Sequence, residues 1–340
     1  MSSSGSKWIL LALGAIWCSR ALAGGLPHFS VEKIADSADL IVVADVTDVR
    51  DLGATAPVHF GKYIFEAREY SAELFVLRTL KGPIFDKLTV SYSFPIDFVG
   101  FSSLARGTRL VFLHRNKDRY DLSDPYYSNF PATREPPEEQ SGLDVSGLVW
   151  SNLLAVLASP TASVSEKRKI LRVDYALHSN EMTIAALRKA VDATADRELR
   201  ERLRGELVRV GDMNELAEVV DLLSRGLATE NGRGWLLYVI GNCVKDPRAV
   251  QELQPLLSSP DDHVREAAVE ALWHIGSEAA VPPLARMLWD SDQMVRFYAV
   301  RGLADIANEY GWGGPSKGEF REHEQKYLDH WREWTSGRAQ

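Results

Sequence analysis

The sequence predicts a chain of two unlike halves: a small antiparallel β-barrel, then an α-solenoid built of helical hairpins. Three observations predict this. Residues 246–308 carry one apolar pattern written twice. Residues 39–122 carry β-branched and alternating segments with no helical repeat. Residues 124–146 (DPYYSNFPATREPPEEQSGLDVS) are rich in proline, polar and acidic residues with little periodicity, the composition of a linker.

The doubled pattern is the strongest signal. Its copies read DPRAVQELQPLLSSPDDHVREAAVEALWHIGS and EAAVPPLARMLWDSDQMVRFYAVRGLADIAN. Shifted by 31 residues, Val250 falls on Val281, Leu253 on Leu284, Leu257 on Leu288, Val264 on Val295, Ala268 on Ala299, Leu272 on Leu303 and Ile275 on Ile306. Within each copy the apolar residues recur at helical spacing on either side of a polar turn, which marks two amphipathic helices. One such hairpin cannot bury its apolar face alone. Copies stack and share a core.

At 340 residues more than one domain is expected, and 45% hydrophobic with 25% charged residues is ordinary for a globular chain. The chain opens in the form of a secretory signal: Lys7, the apolar run Trp8–Trp17, then Ala21-Leu22-Ala23 as the cleavage site. That run is too short to span a bilayer, and no later run is long enough for a membrane helix. The expectation is removal of residues 1–23 between Ala23 and Gly24, and an exported protein, periplasmic or secreted. A lipoprotein anchored through Cys18 is a rival reading, opposed by the bulk of Trp17; an uncleaved anchor is another. Loss of Lys7 and Arg20 takes the formal charge from −8 to −10, which argues against nucleic acid or anionic lipid as a partner. Cys243 is then the one cysteine left, so no intrachain disulfide is expected. In WLLYVIGNCVKD it reads as a small buried thiol, with a reactive or ligand-attaching thiol as the alternative.

Taken in order, residues 30–38 form a short helix that leads into a strand. Asp39–Val49 (DLIVVADVTDV) is β-branched, with apolar residues on both faces at its start. After a loop through Ala54–His59, Tyr63–Leu80 is long enough for one bent strand or two and stops at Lys81-Gly82-Pro83. Leu88, Val90, Tyr92 and Phe94 alternate as in a half-buried strand, and Arg109–His114 and Arg119–Leu122 supply two more. Five strands with a long first hairpin predict an OB-type barrel over residues 24–123. The loop Pro95–Gly107 carries Phe98, Phe101 and Leu104, either as contact residues or as a plug for the barrel's end.

The order ADLIVVADVTDV after a short helix, then ELFVLRTLKGP, then LTVSYSF makes residues 30–122 resemble the netrin-like module, including the inhibitory domain of the tissue inhibitors of metalloproteinases. They also resemble a common β-domain of exported bacterial proteins, of the form ADLIV…V…LKG…G…LVFL, with Gly107 and Leu110–Leu113 matching its end. The first resemblance implies an OB-like fold and a protease-inhibiting role. Those inhibitors chelate the enzyme's zinc through an N-terminal cysteine. Residues 24–145 hold no cysteine, so that mechanism does not carry over.

Residues 147–309 read as about five hairpins. Leu148–Leu157 pairs with Val164–Leu177, Met182–Val191 with Glu198–Val210, and Glu215–Ser224 with Gly232–Cys243; the doubled pattern supplies the last two. Leu199, Arg200, Glu201, Leu207, Val210 and Gly211 align with Val264, Arg265, Glu266, Leu272, Ile275 and Gly276, and Ile240-Gly241 is aligned with Ile275-Gly276. Residues 310–340 provide a capping helix, Gly318–Trp334, charged on one side and bearing Phe320, Tyr327, Trp331 and Trp334. The recurring D-x-x-V-R-x-x-A…L…I-G resembles HEAT repeats, above all the short bacterial type also seen in phycobilisome lyases. This resemblance implies a curved α-solenoid whose second helices line the concave face.

No HExxH, GxSxG, phosphate-binding glycine loop or CxxC occurs, and no catalytic residue, cofactor or metal is expected. His323 and His330 stand two helical turns apart near Glu324, too far for one compact zinc site. Asp261 and Asp292 read as N-caps, and Arg265 and Arg296 as partners of acids from repeat to repeat. With the core direction set by Val264, Ala268 and Ile275, Glu266, Glu270 and Trp273 point away from it. Their expected equivalents are Phe297, Arg301 and Ala304 in the last repeat, and Asn231, Trp235 and Tyr238 in the third. Trp235, Tyr238, Trp273 and Phe297 then form either an aromatic strip that anchors a partner, beside Glu266, Glu270 and Arg301, or ring packing between neighbouring helices. The expected function is a non-catalytic, exported, protein-binding scaffold or adaptor with a protein partner. A regulator of an extracellular protease, acting through the barrel's edge and loop 95–107, is the alternative. A chromophore-lyase-type enzyme is implied by the repeat resemblance alone.

Overall fold

The structure is a computed structural model that describes residues 30–60, 63–95, 104–123, 128–137, 140–171, 177, 179–313 and 315–338. The expected signal segment with Cys18, Ala23 and Gly24 lies outside these residues, as do Phe98 and Phe101. The chain divides into two compact units, residues 1–156 with 165–177, and residues 157–164 with 178–340.

In the first unit, helix α1 (Val31–Ser37) starts at Ser30, whose hydroxyl accepts from the Lys33 N–H, as an N-cap does. Strands β1 (Leu40–Phe60) and β2 (Tyr63–Lys81) form one long antiparallel hairpin. β3 (Lys87–Pro95), β4 (Gly107–Asn116), β5 (Arg119–Leu122) and β6 (Asn129–Pro131) complete a six-stranded sheet of order β1-β2-β3-β5-β4-β6. β1 also pairs with β4, from Leu40↔Leu113 to Val46↔Gly107, and β3 meets β5 in parallel. Leu40, Val42, Ala44 and Val46 alternate into a core with Leu74, Val90, Val111 and Leu113. The Lys81-Gly82-Pro83 stop has a steric cause. Gly82 has φ +92°, and a Cβ there would lie 2.6 Å from the Asp39 carbonyl oxygen.

Several expectations change or are decided. The stretch Ala54–His59, read as a loop, is strand: β1 runs through it to Phe60 because its backbone stays paired with β2 from Thr55↔Arg68 to Phe60↔Tyr63. The described sheet has six strands rather than five; β6 lies in the stretch read as linker, and three buried residues are too few to show alternation. Leu104 is 1% exposed and belongs to the sheet core, so of the two readings left open for it packing holds and contact does not. Helices α2 (Val145–Ala158) and α3 (Val164–Leu171), apart from the turn between them, fall with the sheet rather than with the repeats. Arg78 on β2 donates to the Thr133 carbonyl and to Asn152 Oδ1 on α2, both at 2.9 Å. The Trp150 indole on α2 donates to Glu32 on α1 at 2.9 Å.

The second unit stacks helical hairpins. α4 (Glu181–Ala193) precedes α5 (Arg197–Arg209), and α6 (Met213–Ser224) precedes α7 (Glu230–Cys243). The next two first helices are short: α8 (Ala249–Glu252) continues as a 3-10 turn through Pro255, and α10 (Val281–Met287) begins with Pro282 and Pro283. Proline at those positions ends or starts a helix because it has no N–H to give. Their second helices are full length, α9 (Asp262–Ile275) and α11 (Gln293–Ala307). α12 (Tyr310–Gly313) is one turn, and α13 (Lys317–Arg338) buries Phe320, Tyr327, Leu328 and Trp331. Second helices pack each on the next, α5 on α7, α7 on α9, α9 on α11.

Each second helix starts the same way. Asp196, Thr229, Asp261 and Asp292 are N-caps whose side chains accept first-turn N–H groups. Four residues on stands an arginine: Arg200, Arg233, Arg265 or Arg296. Arg200, Arg265 and Arg296 each donate to a carbonyl six residues back, closing the preceding turn at 2.5–2.9 Å. Arg265 also forks onto Asp290 at 2.8 and 2.9 Å, Arg296 reaches Glu324, and Arg233 reaches Asp261. Arginine–acid pairs thus link the repeats, but Arg265 and Arg296 meet Asp290 and Glu324 rather than the N-cap aspartates, and it is Arg233 that reaches the next N-cap.

Candidate functional site

The N-caps set the true register of the repeats. Thr229 and Asp261 are 32 residues apart, so Ile240 is the counterpart of Leu272, both fully buried. The alignment of Ile240-Gly241 with Ile275-Gly276 was therefore three residues out, nearly one helical turn, and so were the third-repeat equivalents. Gly234, Glu266 and Phe297 share one position on α7, α9 and α11; Tyr238, Glu270 and Arg301 share the next turn.

The predicted residues divide by burial. Phe297 is 1% exposed and packs edge-on against Tyr298 and Phe320, so it presents no ring to solvent. Tyr238 is 41% exposed and stacks on Trp235 with centroids 5.6 Å apart. Trp235 is half-buried; the Arg202 guanidinium lies over its ring at 3.4 Å, and its indole donates to the Arg202 carbonyl at 3.3 Å. Trp273 is covered by Arg301 at 4.2 Å and donates to Asp305 at 2.5 Å. An arginine so stacked contributes ~0.5–2 kcal/mol, depending on how far it is desolvated. The strip is thus two arginine-faced aromatic groups, one across α5 and α7, the other across α9 and α11.

Between them stand Glu266 and Glu270. Glu266 is 27% exposed in its side chain and lies 3.6 Å from the His263 imidazole. Glu270 is half-buried, and burial pushes its carboxyl above the usual range. His274 and Lys317 pull it down, Glu266 pushes it up, and the Tyr298 hydroxyl hydrogen-bonds it. Tyr298 in turn is pushed up to about 12, by burial first and by the Glu270 and Glu266 carboxylates next. Arg202, Tyr298 and Lys317 were missed from the sequence. Arg202 and Tyr298 hold the same repeat position as Trp235, a signal readable only in the N-cap register.

Elsewhere, His330 stacks on Trp312 at 4.1 Å and meets Glu309 at 3.0 Å, a packing role at the end of the stack. Burial raises the Cys243 thiol above its ordinary value. Among the described residues no three His, Cys, Asp or Glu side chains gather as a metal would need, and no helix is long and apolar enough to cross a membrane.

The family model described as HEAT repeats matches residues 228–304, from α7 through most of α11. The helical half is HEAT-like, an architecture of protein-interaction scaffolds. No curated protein matches the chain. A crystal structure described as that of an engineered protein is 19% identical over 56% of this chain and 61% of that one, with a TM-score of 0.32.

Proposed function

We propose that the protein is an exported, non-catalytic adaptor that holds a protein partner against the face of its second helices. The observation that carries this is the Trp235–Tyr238 stack. Tyr238 keeps 41% of its surface in solvent although it is large, half apolar and fixed by a neighbouring ring. Fixed aromatics with a polar tip anchor partners at low entropic cost. Export rests on the form of residues 1–23. An OB or netrin-like identity for the sheet unit is supported by the helix before β1, the long β1–β2 hairpin and the return of β4 onto β1.

The test is a pull-down from native extract with the full chain as bait, read by mass spectrometry. One partner is expected to be retained by the native chain and by Trp289→Ala, which removes a 70%-exposed ring elsewhere. Tyr238→Ala/Trp273→Ala is expected to lose it. Equal retention by all three chains would sink the reading. Export is tested by N-terminal sequencing of the mature protein, with Gly24 expected first.

A further inference from the structure

We propose that the α7–α9 part of this face seats one basic side chain, lysine or arginine, of an extended partner segment, with Glu266 and Glu270 as its counter-charges and the Tyr238 ring as its wall. This rests on the protein-binding reading above and names the partner's chemistry.

The argument starts from charge. Two other second-helix glutamates, Glu201 and Glu206, are neutralised inside the fold. Glu201 accepts from the Thr229 N–H and pairs with Arg197 at 3.4 Å; Glu206 pairs with Arg202 at 3.2 Å and Arg209 at 2.7 Å. Glu266 and Glu270 differ. They stand four residues apart on one helix, where like charges oppose each other. Among the described residues neither has a lysine or arginine within ion-pair distance; their contacts are an imidazole and a tyrosine hydroxyl. A cation arriving from outside would find two carboxylates that lie near His263, His274 and Lys317 but share no ion pair with a lysine or arginine.

The space suits one. Gly234 holds on α7 the position Glu266 holds on α9, it is exposed, and a Cβ there would meet nothing within 4 Å. The Glu270 carboxylate lies over Gly241, where a Cβ would come within 2.6 Å of Oε2. Between the open Gly234 and the covered Gly241 on α7 stands Tyr238. A long basic side chain can lie along the helix over Gly234, its methylenes on the tyrosine ring and its head at the carboxylates.

The neighbouring repeat limits the partner further. Arg301 holds on α11 the position of Glu270, and Lys317 stands 3.5 Å from the Tyr298 hydroxyl, on the α11 side of Glu270. A run of basic residues would be repelled there. Packed helices stand roughly 8–10 Å apart, which an extended chain spans in about three residues. The partner segment is therefore a basic residue with an acidic one about three residues away.

The test pans the full chain against phage-displayed random peptides of about twelve residues. Enriched peptides are labelled with fluorescein and titrated by anisotropy. They are expected to share a lysine or arginine with an acid about three residues off. Glu266→Gln/Glu270→Gln should weaken them about tenfold or more, and about 0.5 M salt should weaken them similarly. Glu270→Lys should reject the basic peptide and accept its Arg→Glu counterpart, an outcome a misfolded chain cannot give. Peptides that bind the double glutamine variant as well as the native chain overturn the inference. If those peptides are still lost in Tyr238→Ala, the protein-binding reading survives alone. If Tyr238→Ala also binds them, or no peptide enriches, both fall.

Discussion

Arg265 offers a measure of what holds the repeats in register. Its guanidinium donates to both oxygens of Asp290 and to the Ser259 carbonyl, and the two side chains are 11% and 7% exposed. Removing one partner of a buried pair leaves the other charge without compensation, which costs ~3–5 kcal/mol. Asp290 would keep the Asp292 N–H at 2.8 Å, which offsets a part. We expect Arg265→Ala to cost about 3 kcal/mol, or roughly 6–12 °C in Tm for a unit of this size. The assay is thermal unfolding followed by the helical far-UV signal. The double variant Arg265→Ala/Asp290→Ala should regain part of the loss, with a coupling of ~2 kcal/mol. Burial alone would raise the Asp290 carboxyl, but its hydrogen bonds from Arg265 and the Asp292 N–H overrule this and hold it below the usual range. A group whose folded pKa is depressed stabilises above its unfolded value, about pH 4, and stops doing so as pH falls through the folded one. The native-to-variant difference should therefore shrink on acidification. A Tm loss under about 1 °C, or a difference that grows toward low pH, would refute the reasoning.

Other outcomes follow from single sites. At Gly205 a Cβ would lie 2.2 Å from the Trp235 indole nitrogen, so Gly205→Ala should cost ~1–3 kcal/mol and shift the tryptophan emission as the ring is displaced. Burial, with Arg109 nearby, takes the Lys169 amine down to about 8. Between that value and the ordinary lysine range the unfolded chain binds more protons, so stability should rise as pH climbs through this window. Lys169→Met should remove that rise in a denaturant titration series at pH 7–10; an unchanged rise would assign it elsewhere. Cys243 should react with a disulfide reagent at pH 8 much more slowly in the native chain than in denaturant, because burial disfavours its thiolate.

The parts of this fold legible in the sequence are those decided locally. Helix periodicity, the N-caps Asp261 and Asp292, the arginines four residues on and the existence of strands β1 to β5 all depend on neighbours a few residues away. Sidedness in the stack was not local. A wheel drawn from Val264, Ala268 and Ile275 finds the core of one hairpin, but each second helix is packed on both flanks by others. That second contact buried Phe297 and left Tyr238 open, although both read as outward aromatics. The three-residue slip in the third repeat had a different, local origin: Ile240-Gly241 looks like Ile275-Gly276, and the cap at Thr229 outranks the likeness because it marks where the helix begins. Leu104, β6 and the pairing of α2 with the sheet depend on contacts between distant segments. Sequence alone determined which elements form and that they repeat. Tertiary packing decided which side chains remain on the surface, because burial is set by the sum of neighbours from every element and not by the helix that carries the residue.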